Sequence, residues 1–219
     1  VSNLEGIRPD AEAALIGEAR QSTWQMIDEI AALLKPGMTE SEAIRLANKQ
    51  MAERGVRKFW HRTHIRFGAS TILSFEDPYK EGVTLNEDDI VNIDIGPIWN
   101  GIEGDAGCPI VFGNDPQKTA IAAAAKSVFE DVRRKWQNGL VSGNDLLNFA
   151  EQRTQELGYV LHPTYVKGHR LSEFPHKIYS NGQTLFDLKT HPLSKRWVLE
   201  IHICDVDYKF GAFYEDLLL

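Results

Sequence analysis

Apolar residues recur at spacings of three and four from about residue 12 to Leu34, with Trp24, Ile27, Ala31 and Leu34 on one stripe, which predicts an amphipathic helix. Lys35-Pro36-Gly37 stops it. Thr39 followed by Glu42 has the spacing of a capping box and opens a second helix, with Ile44, Ala47 and Met51 on one face and Gly55 at its end. The period then changes. KFWHRTHIRFG reads as extended, IVNIDIG alternates Val91, Ile93 and Ile95 against Asn92 and Asp94, and GCPIVFG follows a glycine-rich turn as a further strand. Near Gln117 the helical period returns, with Ile121, Ala125, Val128 and Val132 on one stripe, and another helix runs from about Asn144 to Leu157. WVLEIHICD and GAFYEDLLL then read as strands.

The order repeats. LKPGMTESEAIRLANKQMAERGV can be laid on WQNGLVSGNDLLNFAEQRTQELGY, each a turn glycine, a capped helix and a closing glycine. This predicts an α+β fold of two pseudo-symmetric helix-helix-strand halves, about 10–114 and 115–219, within one domain and with a site between them.

Bulk properties narrow the partners. The chain has 219 residues, 42% of them hydrophobic, enough for a sizeable core. A net charge of −7 without a Lys/Arg block argues against nucleic acid, and no apolar run is long enough to span a bilayer. Cys108 and Cys204 lie far apart and outside any C-x-x-C pattern, which suits a reducing, cytoplasmic setting. The polar start VSNLEGIRPD lacks the apolar core of a signal peptide.

Acidic residues inside apolar strands are the main anomaly, because burying a carboxylate costs several kcal/mol unless it is paired or coordinates a cation. Asp94 sits between Ile93 and Ile95, and Asp105 lies eleven residues on, a separation that a short hairpin closes. Glu200 in WVLEIHI and Glu215 in GAFYEDLLL form a second such pair. Any one of them alone reads as a strand-end acid facing water or an Arg or Lys partner. Four in paired strands, with His169 in a Gly-His-Arg turn, make an oxygen-rich set that suits Mn, Fe, Co or Zn.

These motifs resemble the pita-bread metallopeptidases, the family of methionine aminopeptidase, aminopeptidase P, prolidase and creatinase, over nearly the whole chain. The resemblance implies one or two divalent cations held by two Asp, one His and two Glu. Asp94 in VNIDIG, Asp105, His169 in KGHR and Glu215 in YED match four of these positions. For the fifth, residue identity favours Glu200, whereas keeping the apolar run aligned puts His202 there; two residues apart on a strand, they share a face. His176, seven residues after His169, matches the family's second histidine, which polarises a substrate carbonyl or steadies the tetrahedral intermediate, and Glu200 is the implied general base.

The sequence also departs from the family. Its substrate-facing histidine, one strand before the first Asp, has no counterpart in GASTILSFEDP. His61 and His64 come earlier, at a three-residue spacing that puts them on opposite faces of a strand, so that one of them at most faces the site. Arg170 replaces the second glycine of the Gly-His-Gly turn, and Asp105-Ala106-Gly107 replaces Asp-x-Thr. Phe59, Trp60, Phe67 and Phe75 either fill the core or line a pocket, with Tyr79 and Lys80 at its rim. The implied activity is that of a metal-dependent aminopeptidase or Xaa-Pro peptidase acting through a metal-activated water. Alternatives are a non-peptidase metalloenzyme with a small amino-acid-like or C–N substrate, creatinase-like or redox-active, and a non-catalytic binding module. A homodimer is compatible with a pocket that needs closing.

Overall fold

The structure, a computed structural model, describes residues 10–163, 167–172 and 182–219. Helix α1 (Asp10–Leu33) is followed by α2 (Glu40–Glu53). Thr39 caps α2 as its spacing predicts: its hydroxyl accepts from Glu42 N while the Glu42 carboxylate accepts from Thr39 N. The strands β1 (His64–Phe67) and β2 (Asp89–Ile95) come next, then a small hairpin of β3 (Ile98–Trp99) and β4 (Ile102–Glu103), then β5 (Ala106–Phe112). Helices α3 (Pro116–Asn138) and α4 (Gly143–Glu156) precede β6 (Val160–Leu161), β7 (Val198–Cys204) and β8 (Gly211–Leu217).

Among the described residues, six strands form one antiparallel sheet in the order β1-β2-β5-β8-β7-β6. The order is a palindrome of the chain. The first half contributes β1, β2 and β5 after two helices, the second contributes β6, β7 and β8 after two more, and the halves meet where β5 pairs with β8. This is the α+β pita-bread fold.

Strand alternation divides the sheet's residues between two faces. Ile65, Ile93, Ile201 and Tyr214 join the helical core with Ile27, Ala47, Ile121, Ala125, Val128 and Val132. On α1 the buried set is wider than the single stripe expected. Met26 and Ile30 are buried while Trp24 and Ala31 are only partly so, because the helix packs on both the small hairpin and the sheet. On α2, Ala43 takes the buried place expected for Ile44. No helix among the described residues is long and apolar enough to cross a membrane.

One ion pair fixes α1 to the central strand. Arg20 donates through Nε to Asp216 Oδ1 at 2.6 Å and through Nη2 to Oδ2 at 2.5 Å, and Asp216 is buried. Arg20→Ala leaves that carboxylate without its cation. It is expected to destabilise the fold by roughly 2–3 kcal/mol, less than a fully buried pair because Arg20 is partly solvated. Thermal melting should show a fall of about 5–10 °C, and an unchanged midpoint would remove the pair from the account.

Candidate metal centre

The register of the sheet lines up the site. His64 lies opposite Asp94, Asp94 opposite Gly107, Gly107 opposite Glu215, and Glu215 opposite Glu200, giving one row across five adjacent strands. Glycine is required in its middle, since a Cβ on Gly107 would stand 2.6 Å from the Phe213 ring. Asp105, immediately before β5, enters beside this row with both its oxygens engaged. His169 Nε2 lies 2.6 Å from Oδ2, and His61 Nε2 lies 3.3 Å from Oδ1 and 3.5 Å from Asp94 Oδ1.

His169 is delivered by a turn that runs along the start of β7, where Val198 N donates to its carbonyl at 2.9 Å. Gly168 makes the turn possible. It has φ +65°, a Cβ there would lie 2.5 Å from Val198 O, and its N–H donates to Glu200 Oε2 at 2.7 Å. Gly168→Ala therefore strains the backbone and moves both His169 and Glu200. The expected loss is about 2–4 kcal/mol together with weakened cation binding, read by thermal melting and cation titration. A variant with the parent's midpoint and affinity would contradict this role.

Electrostatics set the carboxylates against one another. Burial pushes Asp94 up to about 7, with Asp105 and Glu200 adding to the rise against His61. Burial also raises Glu200 and, with help from Asp105 and Asp94, lifts Glu215 well above the usual carboxylate range. Asp105 goes the other way: burial works to raise it, but its bonds with His169 and His61 hold it down at about 2. The same carboxylates overcome the burial of His61 and His169 and raise each to about 9.

Among the described residues, four buried or half-buried carboxylates at one spot face two imidazoles raised to about 9, which leaves room for further positive charge. Asp94 Oδ1 accepts no hydrogen bond among the described residues although it is shielded from solvent. Among the described residues, two sets of three bring their nitrogen and oxygen donors within 4.8 Å of one another: His61, His64 and Asp94, and Asp105, His169 and Glu215. An N/O donor set without thiolate, with an unsatisfied buried oxygen, fits borderline divalent cations.

The remaining expected residues separate clearly. Glu200 stands in the row of acids, whereas His202 belongs to the next row, opposite Phe213. His202 donates from Nε2 to Thr71 O at 2.7 Å and stacks on His162 at 4.5 Å, and burial lowers it to about 3. Phe75 is an exposed wall of the cavity, and Trp60 also lines it, while Phe67 is core. Tyr79 is tied in rather than loose, accepting from Ile65 N at 3.1 Å under Arg66. Arg170 turns away into the interior and donates to Leu171 O at 2.7 Å. His176 lies outside the described residues.

His61 and His64 sit differently from the sequence expectation. The strand beside β2 is His64–Phe67, not GASTILSFEDP, which forms a 3-10 turn at Gly68–Ile72 and a loop. A histidine therefore does stand one strand before Asp94. Nor do the two histidines alternate on a strand. Phe59 bridges to Pro97 and Trp60 N donates to Gly96 O at 3.1 Å, so the chain bends before β1 and both rings line the cavity.

The cavity measures about 460 Å³, with Leu73, Phe75 and Phe213 as its apolar side. A family model described as Metallopeptidase family M24 matches residues 14–219. The methionine aminopeptidase of Staphylococcus epidermidis (strain ATCC 35984) is 25% identical over 197 residues, covering 86% of this chain and 76% of that protein. Among solved structures, methionine aminopeptidase from Thermotoga maritima superposes with a TM-score of 0.76 at 17% identity, over 96% of this chain and 93% of that one. Prolidase from Pyrococcus horikoshii OT3 has a TM-score of 0.76 at 18% identity over 99% of this chain, which spans 61% of the prolidase's length.

Proposed function

This chain belongs to metallopeptidase family M24, and from that premise we propose that it is a cation-dependent hydrolase releasing the N-terminal residue of a peptide, Xaa-Pro peptides included. The observation that carries the reading is the five-strand row of His64, Asp94, Glu215 and Glu200, with Asp105 and His169 set against it. Asp94, Asp105, His169, Glu200 and Glu215 are the residues to hold one or two ions of Mn, Fe, Co or Zn. When bound, such ions supply Lewis-acid polarisation of the scissile carbonyl and activation of the attacking water.

The chain's own residues do the rest. Glu200, one oxygen fixed by Gly168 N–H, keeps the other for proton transfer as general base. Leu73, Phe75 and Phe213 offer an apolar wall to the first side chain of the substrate, and 460 Å³ accommodates a residue or a dipeptide. His202 is assigned no ligand role, since its Nε2 is held by Thr71 O. The buried thiols of Cys108 and Cys204 suit a reducing compartment such as the cytoplasm.

Cation-loaded protein assayed against a peptide panel that includes Xaa-Pro substrates should release free N-terminal amino acids. Absence of release from every peptide, with cations bound, would reject peptide hydrolysis and favour a small amino-acid-like substrate.

A further inference from the structure

We propose that His61 and His64 are cation ligands, joining Asp94 to give one of two cation positions a donor set of two imidazoles and a carboxylate. The inference rests on the cation-dependent reading above and adds two nitrogen donors to its ligand set. Asp105, His169 and Glu215 serve the other position.

A carbonyl oxygen only accepts, so the nitrogen facing it must carry the proton. His169 Nδ1 lies 2.9 Å from Arg170 O, and His61 Nδ1 lies 2.7 Å from Arg62 O. Both rings thus donate from Nδ1 to the carbonyl of the next residue and aim Nε2 at the carboxylates, the atom from which a bound cation would displace the proton. This outer hydrogen bond is the arrangement that orients a metal-binding imidazole and raises its basicity. His61 carries the same device as His169.

Packing matches the two rings as well. The Trp60 ring sits 4.4 Å from His61 and 4.4 Å from His169, so one indole steadies both imidazoles. Gly96 leaves the room that His61 needs, because a Cβ there would stand 2.1 Å from the His61 ring and 2.6 Å from Trp60 Nε1. His64 is set by the sheet, opposite Asp94, with its Nδ1 3.4 Å from a Tyr79 hydroxyl that Ile65 N fixes in place. The donor atoms of His61, His64 and Asp94 all lie within 4.8 Å of one another. Two nitrogens and one oxygen favour zinc, cobalt or iron over magnesium or calcium.

Zinc titration of chelator-stripped protein, with total metal analysis and zinc-edge X-ray absorption, tests this. The wild-type protein should take up two zinc ions with three imidazoles shared between them. His61→Ala and His64→Ala should each lose one imidazole and weaken one of the two binding events at least ~10-fold, the loss that even an outer partner of a ligand produces. The absorption count on the wild type makes the test independent of how either variant folds. A single imidazole over two zinc ions, with both variants binding like the parent, overturns the inference while leaving the peptidase reading intact. A wild-type protein that binds no zinc, manganese or cobalt overturns the function itself.

Discussion

Asp105→Ala is expected to leave a folded protein that no longer retains cations, and to lower kcat/KM by at least about 10³-fold, roughly 4 kcal/mol of transition-state stabilisation. Among the described residues, Asp105 is the one carboxylate that both His61 and His169 address, at 3.3 and 2.6 Å, and its side chain is fully buried. Removing it takes an anionic donor from the centre of the cluster rather than its edge. Asp105→Asn keeps the volume and separates charge from packing, and should fail in the same way. Metal analysis after gel filtration, with circular dichroism as the fold control, reads the outcome. Either variant retaining the parent's cation content would show that the ligand assignment is wrong.

Stability of the cation-free protein is expected to fall as pH rises from about 5 to 9, and that of the loaded protein is not. Asp94 is raised to about 7 when folded, against an ordinary carboxylate near ~3.9 when unfolded. Its contribution is therefore fullest below the unfolded value and is lost as pH climbs through 7. His61 and His169, raised to about 9, contribute fully below ~6.5 and lose that contribution as pH passes 9. The three groups have the same sign, since the folded state holds the extra protons. Asp105, lowered to about 2, has the opposite sign, but its contribution is lost only as pH falls through 2, outside this range. Cation binding displaces those protons and so strengthens with pH. With cation at about 100 times its dissociation constant, the added stability is ~2.7 kcal/mol, or about 5–10 °C for a chain of this size. Melts in chelator and in cobalt(II) should diverge with rising pH, and parallel curves would refute the proton bookkeeping.

Much of this site is legible in the residues themselves because its signals are local. Thr39 and Glu42 announce a helix start by spacing alone, and Val91, Ile93 and Ile95 alternating with Asp94 announce a strand with an acid on its other face. Glu200 and Glu215 stand out for the same reason, and their strands pair in the register that brings the two acids opposite. What was hidden depends on contacts distant in sequence. Nothing within KFWHRTHIRFG tells that Phe59 and Trp60 are held by Pro97 and Gly96, yet that attachment ends the extended run early and turns His61 toward Asp94 and Asp105. Trp60 as the wedge between two histidines is likewise invisible to periodicity. Glu40, by contrast, sits in the first turn of α2 and reads as an ordinary helix-start acid, but it is buried and accepts from Phe67 N at 2.8 Å, pinning the end of β1. Glu200 and His202 share a face and look alike in sequence; the row each occupies and the partner of His202 Nε2 separate them.

Metal analysis of protein purified without chelator decides whether these carboxylates and His169 hold cations. The arrangement of Asp94, Asp105, His169, Glu200 and Glu215 predicts between one and two equivalents of a divalent transition metal per chain, removed by chelator and restored on reloading together with peptidase activity. A content well below one equivalent that reloading does not raise would contradict it.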